Sequence, residues 1–351
     1  MKIVISIFQF LFYSLITLIF YEFFFGLTEI SEPSHYTIDE KLGYILKPLE
    51  PVMSLEEGLF IGQSNEYGYW GYGYPLQRTP NSVRFAMIGD SHVAGLQLPA
   101  KFHFRNIFED KLQKLINKKV EVLNFGRSGH HIDRMLIQYY EIIQNYKPDF
   151  LLVFLTPKDF LTREDEIGPE YYIEGDSLKI NYSFKKSRQF NFLKSIEFFR
   201  EYYIYSLVQK CWVLFRNGET GKILFDKFYH LFKQNDNSSG NSEPEDQYYQ
   251  VNKAILKSLA FINENSNTKV IIIIREDLPD NYNNIISHNN LPVIKLYEYM
   301  EKLKEEGYSL NYWKATNQYG HWNHTAQVFI GEYLAKNFAK KLNSNGVSSG
   351  N

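Results

Sequence analysis

Cysteine is almost absent: Cys211 is the only one in 351 residues. A lone thiol excludes an internal disulfide framework and a cysteine-built zinc site. Net charge is equally scarce, because 38 Lys and Arg nearly offset 40 Asp and Glu and leave −2. A domain that grips a phosphate backbone carries a basic excess, so nucleic acid is not an expected partner. The H-E-x-x-H pattern is missing too. His92, His130, His131 and His324 fall in neighbouring segments, but no carboxylate stands beside them at ligand spacing, so neither a metal nor a cofactor is expected. What the chain has in plenty is aromatic area, with 28 Phe and 27 Tyr. Most of these rings read as core, and a sugar-stacking face is the alternative use.

A long apolar run occurs once. Residues 3–21, "IVISIFQFLFYSLITLIFY", make about 19 uncharged positions, close to what a helix rising about 1.5 Å per residue needs to cross about 30 Å of hydrocarbon. A cleaved signal peptide has a shorter apolar region and small residues at its cut site, whereas "YEFFFGLTEI" offers Glu22 and three phenylalanines. An uncleaved membrane anchor over 1–25 is therefore expected. Its apolar residues cover every face, unlike the single stripe of a buried amphipathic helix. Lys2 precedes the run while Glu22, Glu29 and Glu32 follow it, which places the rest of the chain outside the cytoplasm, in a periplasm or on the cell surface.

Residues 26–80 are rich in Pro, Gly and Tyr and show no sustained period, as in an irregular lead-in lying across a domain surface. Within it, "YGYWGYGYP" reads either as a stacking platform or as a short turn-rich stretch. From 81 onward short apolar runs ("SVRFAMIG", "VEVLNFG", "DFLLVFL", "KVIIIIR", "LPVIKL") alternate with helical periodicity. Strands with so little polar alternation are covered on both faces, which marks the α/β class with a parallel sheet between helices. The α/β domain is assigned to 81–161 and 251–343, closed by a helix with lysines in its last turn. An insertion over 162–250 divides it. A hairpin turning at Glu174, Gly175 and Asp176 opens the insertion, helical runs at 190–215 and 221–232 follow, and the polar "QNDNSSGNSEPEDQ" reads as disordered. Since the insertion leaves the sheet at the carboxyl end of strand three, where open α/β sheets bind ligands, it is expected to cover the site. Residues 344–351 read as a flexible tail.

Chemistry is concentrated at "RFAMIGDSHVAGLQLP" (84–99), where a buried strand runs abruptly into a helix at Asp90, Ser91 and His92. A side chain on such a corner stands over the carboxyl edge of the sheet, and the free N–H groups of the helix's first turn point into the same volume. Ser91 is thus placed to attack a carbonyl, unless Asp90 and Ser91 serve only as helix caps. Strand two ends in "VLNFGRSGHHIDR", with Asn124 and with glycines at 126 and 129 that let backbone approach closely. "NQYGHWNHTAQ" sets His321 in a loop just before the last helix, where a base can reach back to Ser91.

Together "GDSH", "NFGRSG", "KPDFLLVFL" and "GHWNHTAQ", in that order, resemble the SGNH (GDSL-like) hydrolase superfamily, and in particular its membrane-anchored bacterial members. The likeness covers most of 82–155 and 269–342, but neither the insertion nor the anchor. It implies a flavodoxin-like three-layer α/β/α domain that hydrolyses or transfers esters, with Ser91 as nucleophile, His321 as base, and the backbone N–H groups of Ser91 and Gly126 as oxyanion donors. It further implies acyl groups, acetyl above all, on cell-envelope carbohydrate as the substrate class. Two features depart from the pattern. Lys158 stands where the family places an oxyanion asparagine; its ammonium, or Thr156 instead, is the candidate donor, unless Lys158 is simply a solvated surface residue. The aspartate expected two or three residues before the histidine is replaced by Gln318 and Tyr319, so Gln318 through its amide oxygen, or a backbone carbonyl, is left to orient His321. These departures keep a second reading open: a catalytically impaired member that binds polysaccharide or assists its assembly.

Overall fold

The computed structural model describes residues 2–28, 34–54, 57–161, 167–175, 177–216 and 245–346. The chain divides into two compact units, one of Met1–Ile38 and Lys186–Ser242, the other of Asp39–Lys185 and Glu243–Asn351. In chain order the helices are α1 (Lys2–Thr28), α2 (Ser91–Ala94), α3 (Phe104–Ile116), α4 (Ile132–Glu141), α5 (Arg188–Ser195), α6 (Tyr203–Arg216), α7 (Glu245–Asn265), α8 (Asp280–His288), α9 (Leu296–Glu305) and α10 (His324–Gly346). The main sheet consists of β1 (Val83–Ile88), β2 (Val120–Asn124), β3 (Phe150–Leu155), β4 (Lys269–Ile274) and β5 (Val293–Lys295).

Within the larger unit these five strands lie in the order β5-β4-β3-β1-β2, every pairing parallel. This is the flavodoxin-like order, which reverses direction beside β1 and so opens a crevice at the carboxyl end of that strand. The strands are apolar at successive positions because both faces are covered. Alternate residues Ala86, Ile88, Val153 and Ile272 join a core with α4, α7 and α8, while Phe85, Met87, Phe154 and Ile273 join another with α3, α9 and α10. Side chains on a strand alternate between its faces, so two helical layers enclose one sheet as the sequence pattern predicted.

Residues 39–80 of the lead-in belong to this unit and are woven into it, while 26–38 belong to the other unit. Tyr69 and Trp70 are buried, and only Tyr72 of the tyrosine-rich stretch exposes most of its ring. Arg84 pins the segment. It is fully buried, pairs with Glu121 at 2.7 Å, and donates to the carbonyls of Leu76, Pro75 and Tyr146. A buried cation persists only when its donors are satisfied, and these acceptors come from both the lead-in and the domain. Two strands of the lead-in, Pro51–Ser54 and Phe60–Gln63, pair antiparallel, and the connection between them carries Glu57.

The expected hairpin opens the insertion, as Glu170–Glu174 paired with Ser177–Asn181. Of the helical run expected at 190–215, α5 and α6 form most, with a 3-10 turn at Glu197–Glu201 between them, and they belong to the unit that contains α1. The helix at 221–232, the polar stretch after it and the terminal five residues of the tail lie outside the described residues. Helix α1 runs to Thr28, past the expected end at 25. Glu22 does not stop it, since its carboxylate accepts the N–H groups of Tyr203 and Ile204 at 2.7 and 3.0 Å.

Candidate active site

The turn after β1 is shaped by close approach. A Cβ on Gly89 would meet Val93 Cγ2 at 2.6 Å, and one on Gly126 would meet Ala94 N at 2.3 Å. The glycines let α2 descend onto the ends of β1 and β2. Asp90 caps this short helix, its Oδ1 accepting the His92 N–H at 3.0 Å, and Gly95 ends it in the left-handed region at φ 80°. Ser91 therefore opens α2 at the carboxyl edge of the sheet.

His321 reaches it from the loop that precedes α10. A small hairpin, Tyr312–Trp313 paired with Gln318–Tyr319, delivers the chain to this loop, and the Trp313 indole N–H holds the His321 carbonyl at 2.9 Å. His321 Nε2 lies 2.7 Å from Ser91 Oγ. On the other side of the ring, Nδ1 lies 2.7 Å from Glu57 Oε1, and the His321 backbone N–H donates to Glu57 Oε2 at 2.8 Å. An ionised carboxylate can only accept, so the proton belongs on Nδ1 and Nε2 is left to receive the serine proton. Glu57 is held in turn by Thr316, whose hydroxyl donates to the Glu57 carbonyl at 2.7 Å. The His321 and Glu57 side chains are 27% and 15% exposed, which leaves the site open to substrate while limiting solvent screening.

From the sequence, Gln318 or a backbone carbonyl is the group expected to orient the imidazole. Its place at Nδ1 is taken by Glu57, while Gln318 is opposite Trp313 in the hairpin. The reason is steric. Gly320 has no side chain, and a Cβ there would meet Glu57 Oε1 at 2.3 Å, so the glycine opens the path by which the lead-in carboxylate enters. Nothing near His321 in sequence announces this acid, which is 264 positions away. The one available signal was a carboxylate followed by glycine, Glu57-Gly58, in a stretch without secondary-structure period.

The other expected residues are distributed differently from the reading. Asn124 donates to the carbonyls of Trp70 and Ala94 at 3.2 and 3.1 Å, and its Oδ1 takes the Gly126 N–H at 2.9 Å. Asn124 thus ties β2 to α2 and to the lead-in, and the Gly126 N–H meets an oxyanion only by sharing or leaving that bond. Lys158 is exposed. The residue beside it turns inward instead: Asp159 Oδ2 accepts from the Thr156 backbone at 2.6 Å and from the Thr156 hydroxyl at 3.1 Å. Thr156 is buried in this cap, so its hydroxyl is committed to it.

Behind the serine is a charged group that sequence reasoning missed. Arg275, at the carboxyl end of β4, pairs with Asp90 Oδ2 at 2.6 Å and lies over the Trp322 ring. Burial pushes the Asp90 carboxyl up, but hydrogen bonding by His92 and the Arg275 charge outweigh it and hold Asp90 well below the usual carboxylate range. Asp159 goes the other way, to about 7, through burial first and the neighbouring Asp90 charge second. His92, with its ring centroid 4.5 Å from that of His321, is held below the ordinary histidine value chiefly by burial and so stays neutral beside the base.

No protein-family model matches the chain, and no curated protein matches its sequence. Among solved structures it is similar to a lipase/acylhydrolase from Enterococcus faecalis, at 13% identity over 74% of this chain and 96% of that one with a TM-score of 0.39. It is also similar to the psychrotrophic esterase EstA from Pseudoalteromonas sp., at 14% identity over 74% and 98% of the two chains, TM-score 0.39. A third is the acetyl xylan esterase AlAXEase, at 13% identity over 73% and 99%, TM-score 0.39.

Proposed function

We propose that the chain is a serine esterase of the SGNH type working through an acyl-Ser91 intermediate. The observation that carries the reading is the unbroken line from Ser91 Oγ through both ring nitrogens of His321 to Glu57. Ser91 Oγ attacks the acyl carbonyl as its proton passes to His321 Nε2, and Glu57 stabilises the imidazolium that results. His321 returns the proton to the leaving alkoxide and the alcohol departs. Water, deprotonated by the same nitrogen, then attacks the acyl-serine; the Ser91 Oγ–acyl bond breaks, His321 returns the proton to Oγ, and the carboxylic acid is released. The Ser91 N–H, joined by the Gly126 N–H as it gives up Asn124 Oδ1, holds the negative charge on the carbonyl oxygen. A sugar hydroxyl in place of that water makes the same intermediate serve acyl transfer.

The substrate is proposed to be an acyl, chiefly acetyl, ester on cell-envelope carbohydrate. A groove of about 480 Å³ whose lining includes none of Ser91, His321 and Glu57 pairs the exposed ring of Tyr72 with Gln63, Glu66 and Lys101, an aromatic face and polar groups suited to sugar units away from the reacting ester. We further propose that α1 anchors the protein, supported by a 26-residue apolar helix that contains an 18-residue window of mean hydropathy 2.3 with none of that window buried. Lys2 ahead of it favours a catalytic unit outside the cytoplasm. The impaired-member reading rested partly on a missing acid, and Glu57 now stands at that position. Release of acetate from acetylated polysaccharide by the full chain, lost in Ser91→Ala, is the expected result. Equal release by the variant contradicts the proposal, and turnover of simple acyl esters alone removes the carbohydrate part of it.

A further inference from the structure

The smaller unit has a surface that catalysis does not use. Helix α6 lies beside α1, joined by the Glu22 carboxylate on its first two N–H groups and by Gly26 opposite the Tyr203 ring. Between α1 and the insertion runs a groove of about 1140 Å³, lined by Leu18, Phe23, Leu27, Phe199, Tyr202 and Val208 among others and almost wholly apolar. Large side chains on its wall stand in the open, Phe192 at 61% exposed, Phe198 at 66% and Val208 at 62%, and Trp212, one turn past Val208 on α6, is 63% exposed. Apolar exposure of this kind, gathered in one place, marks an interaction surface.

Length fixes its level along α1. From Ile3 to Glu22 the helix rises about 30 Å at about 1.5 Å per residue, the thickness of the hydrocarbon core, so Glu22 falls where a bilayer gives way to its headgroups. The first turn of α6 is bonded to that same residue. Most of the insertion side chains lining the groove are Phe or Tyr, with Ile196, Ile204 and Val208 among them, and Tyr and Phe are types found at membrane interfaces. The stretch 186–216 also carries six Lys or Arg against two Glu, a basic excess in an otherwise balanced chain.

We propose that α5, α6 and the turn between them form a second membrane-contacting element, seated in the interfacial layer of an anionic phospholipid bilayer beside α1, with acyl chains filling the groove. This rests on the reading of α1 as an anchor. The continuity of the apolar groove with the spanning surface, the depth of Glu22 and the local positive charge favour lipid over another protein as the occupant.

Trp212 provides the test, because Trp70, Trp313 and Trp322 are buried in the other unit. The full chain is reconstituted into vesicles of phosphatidylcholine and phosphatidylglycerol with brominated acyl chains, and Trp212 emission is taken as the difference from Trp212→Phe. Most of that emission is expected to be quenched by bromine and little by aqueous iodide, with quenching lost in Phe198→Glu/Phe199→Glu. Quenching by iodide alone puts Trp212 in water and overturns the proposal. Quenching by neither puts protein over it, a second copy or a partner helix, and also overturns it. Flotation of the vesicles in alkaline carbonate separates the two claims: protein that leaves the vesicles refutes the anchor itself, while protein that floats with Trp212 in water refutes only the second contact.

Discussion

His321 gives both its backbone N–H and its imidazole N–H to one carboxylate, that of Glu57. Two bonds from one rigid segment to two oxygens fix the ring's rotation as well as its tautomer, which a single contact does not. Replacing Glu57 with Gln keeps the shape and removes the charge. In serine triads neutralising the acid lowers turnover on the order of 10⁴-fold, and a loss of that order in kcat with little change in KM is expected here. Steady-state hydrolysis of a soluble acyl ester measures it.

Gln318→Ala is the companion experiment. Because the Nδ1 position belongs to Glu57, kcat should stay within a few-fold of the parent. A loss comparable with that of Glu57→Gln would return the orienting role to the amide.

Gly320→Ala separates activity from stability. The added methyl would meet the Glu57 carboxylate at 2.3 Å, and the carboxylate is the movable end of a side chain, so it shifts rather than the backbone. Ester turnover should fall steeply while the unfolding free energy moves by about 0.5 kcal/mol, the scale of a surface substitution.

Asp159 predicts a pH effect on stability. Its folded value, about 7, lies above the ordinary aspartate value of 3.8, so the folded state binds the proton more tightly than the unfolded one. The stability this proton confers is fully present below about pH 4 and is lost as pH rises toward 7, where linkage makes the unfolding free energy fall. Asp159→Asn, which keeps an acceptor for Thr156, should flatten the decline between those values in denaturant titrations. An unchanged slope would contradict the raised value.

The Asp90–Arg275 pair is structural support for the corner serine. Arg275→Met leaves the Asp90 carboxylate without its cation, and breaking a buried pair costs about 3–5 kcal/mol. Asp90 keeps 20% exposure, so the lower end of that range is expected in thermal unfolding.

The sheet was legible because double burial writes itself into sequence as unbroken apolar runs, and "RFAMIG", "DFLLVFL" and "KVIIIIR" all became its strands. Ser91 and His321 were legible for a related reason, each lying at the junction of a strong periodic element and a loop. Glu57 was not, since a residue in an irregular connection is placed by tertiary contacts that leave no period. The lead-in misled for the same cause: Tyr69 and Trp70 entered the core through turns, where neither alternation nor helical spacing marks a buried ring. Asn124 is a substrate-side candidate by its place at the end of strand two, and its burial among backbone groups makes it a tie instead. The association of the insertion helices with α1 depends on a carboxylate capping a helix 181 positions away, a pairing no local pattern encodes.

The most direct measurement is the intact mass of the full chain after exposure to a small fluorophosphonate, run beside His321→Ala and Glu57→Gln. The account predicts one adduct, on Ser91, formed rapidly by the parent, much more slowly by the glutamine variant and not at all by the alanine variant. No adduct on the parent, or labelling of Ser91 at the same rate in all three, would contradict it.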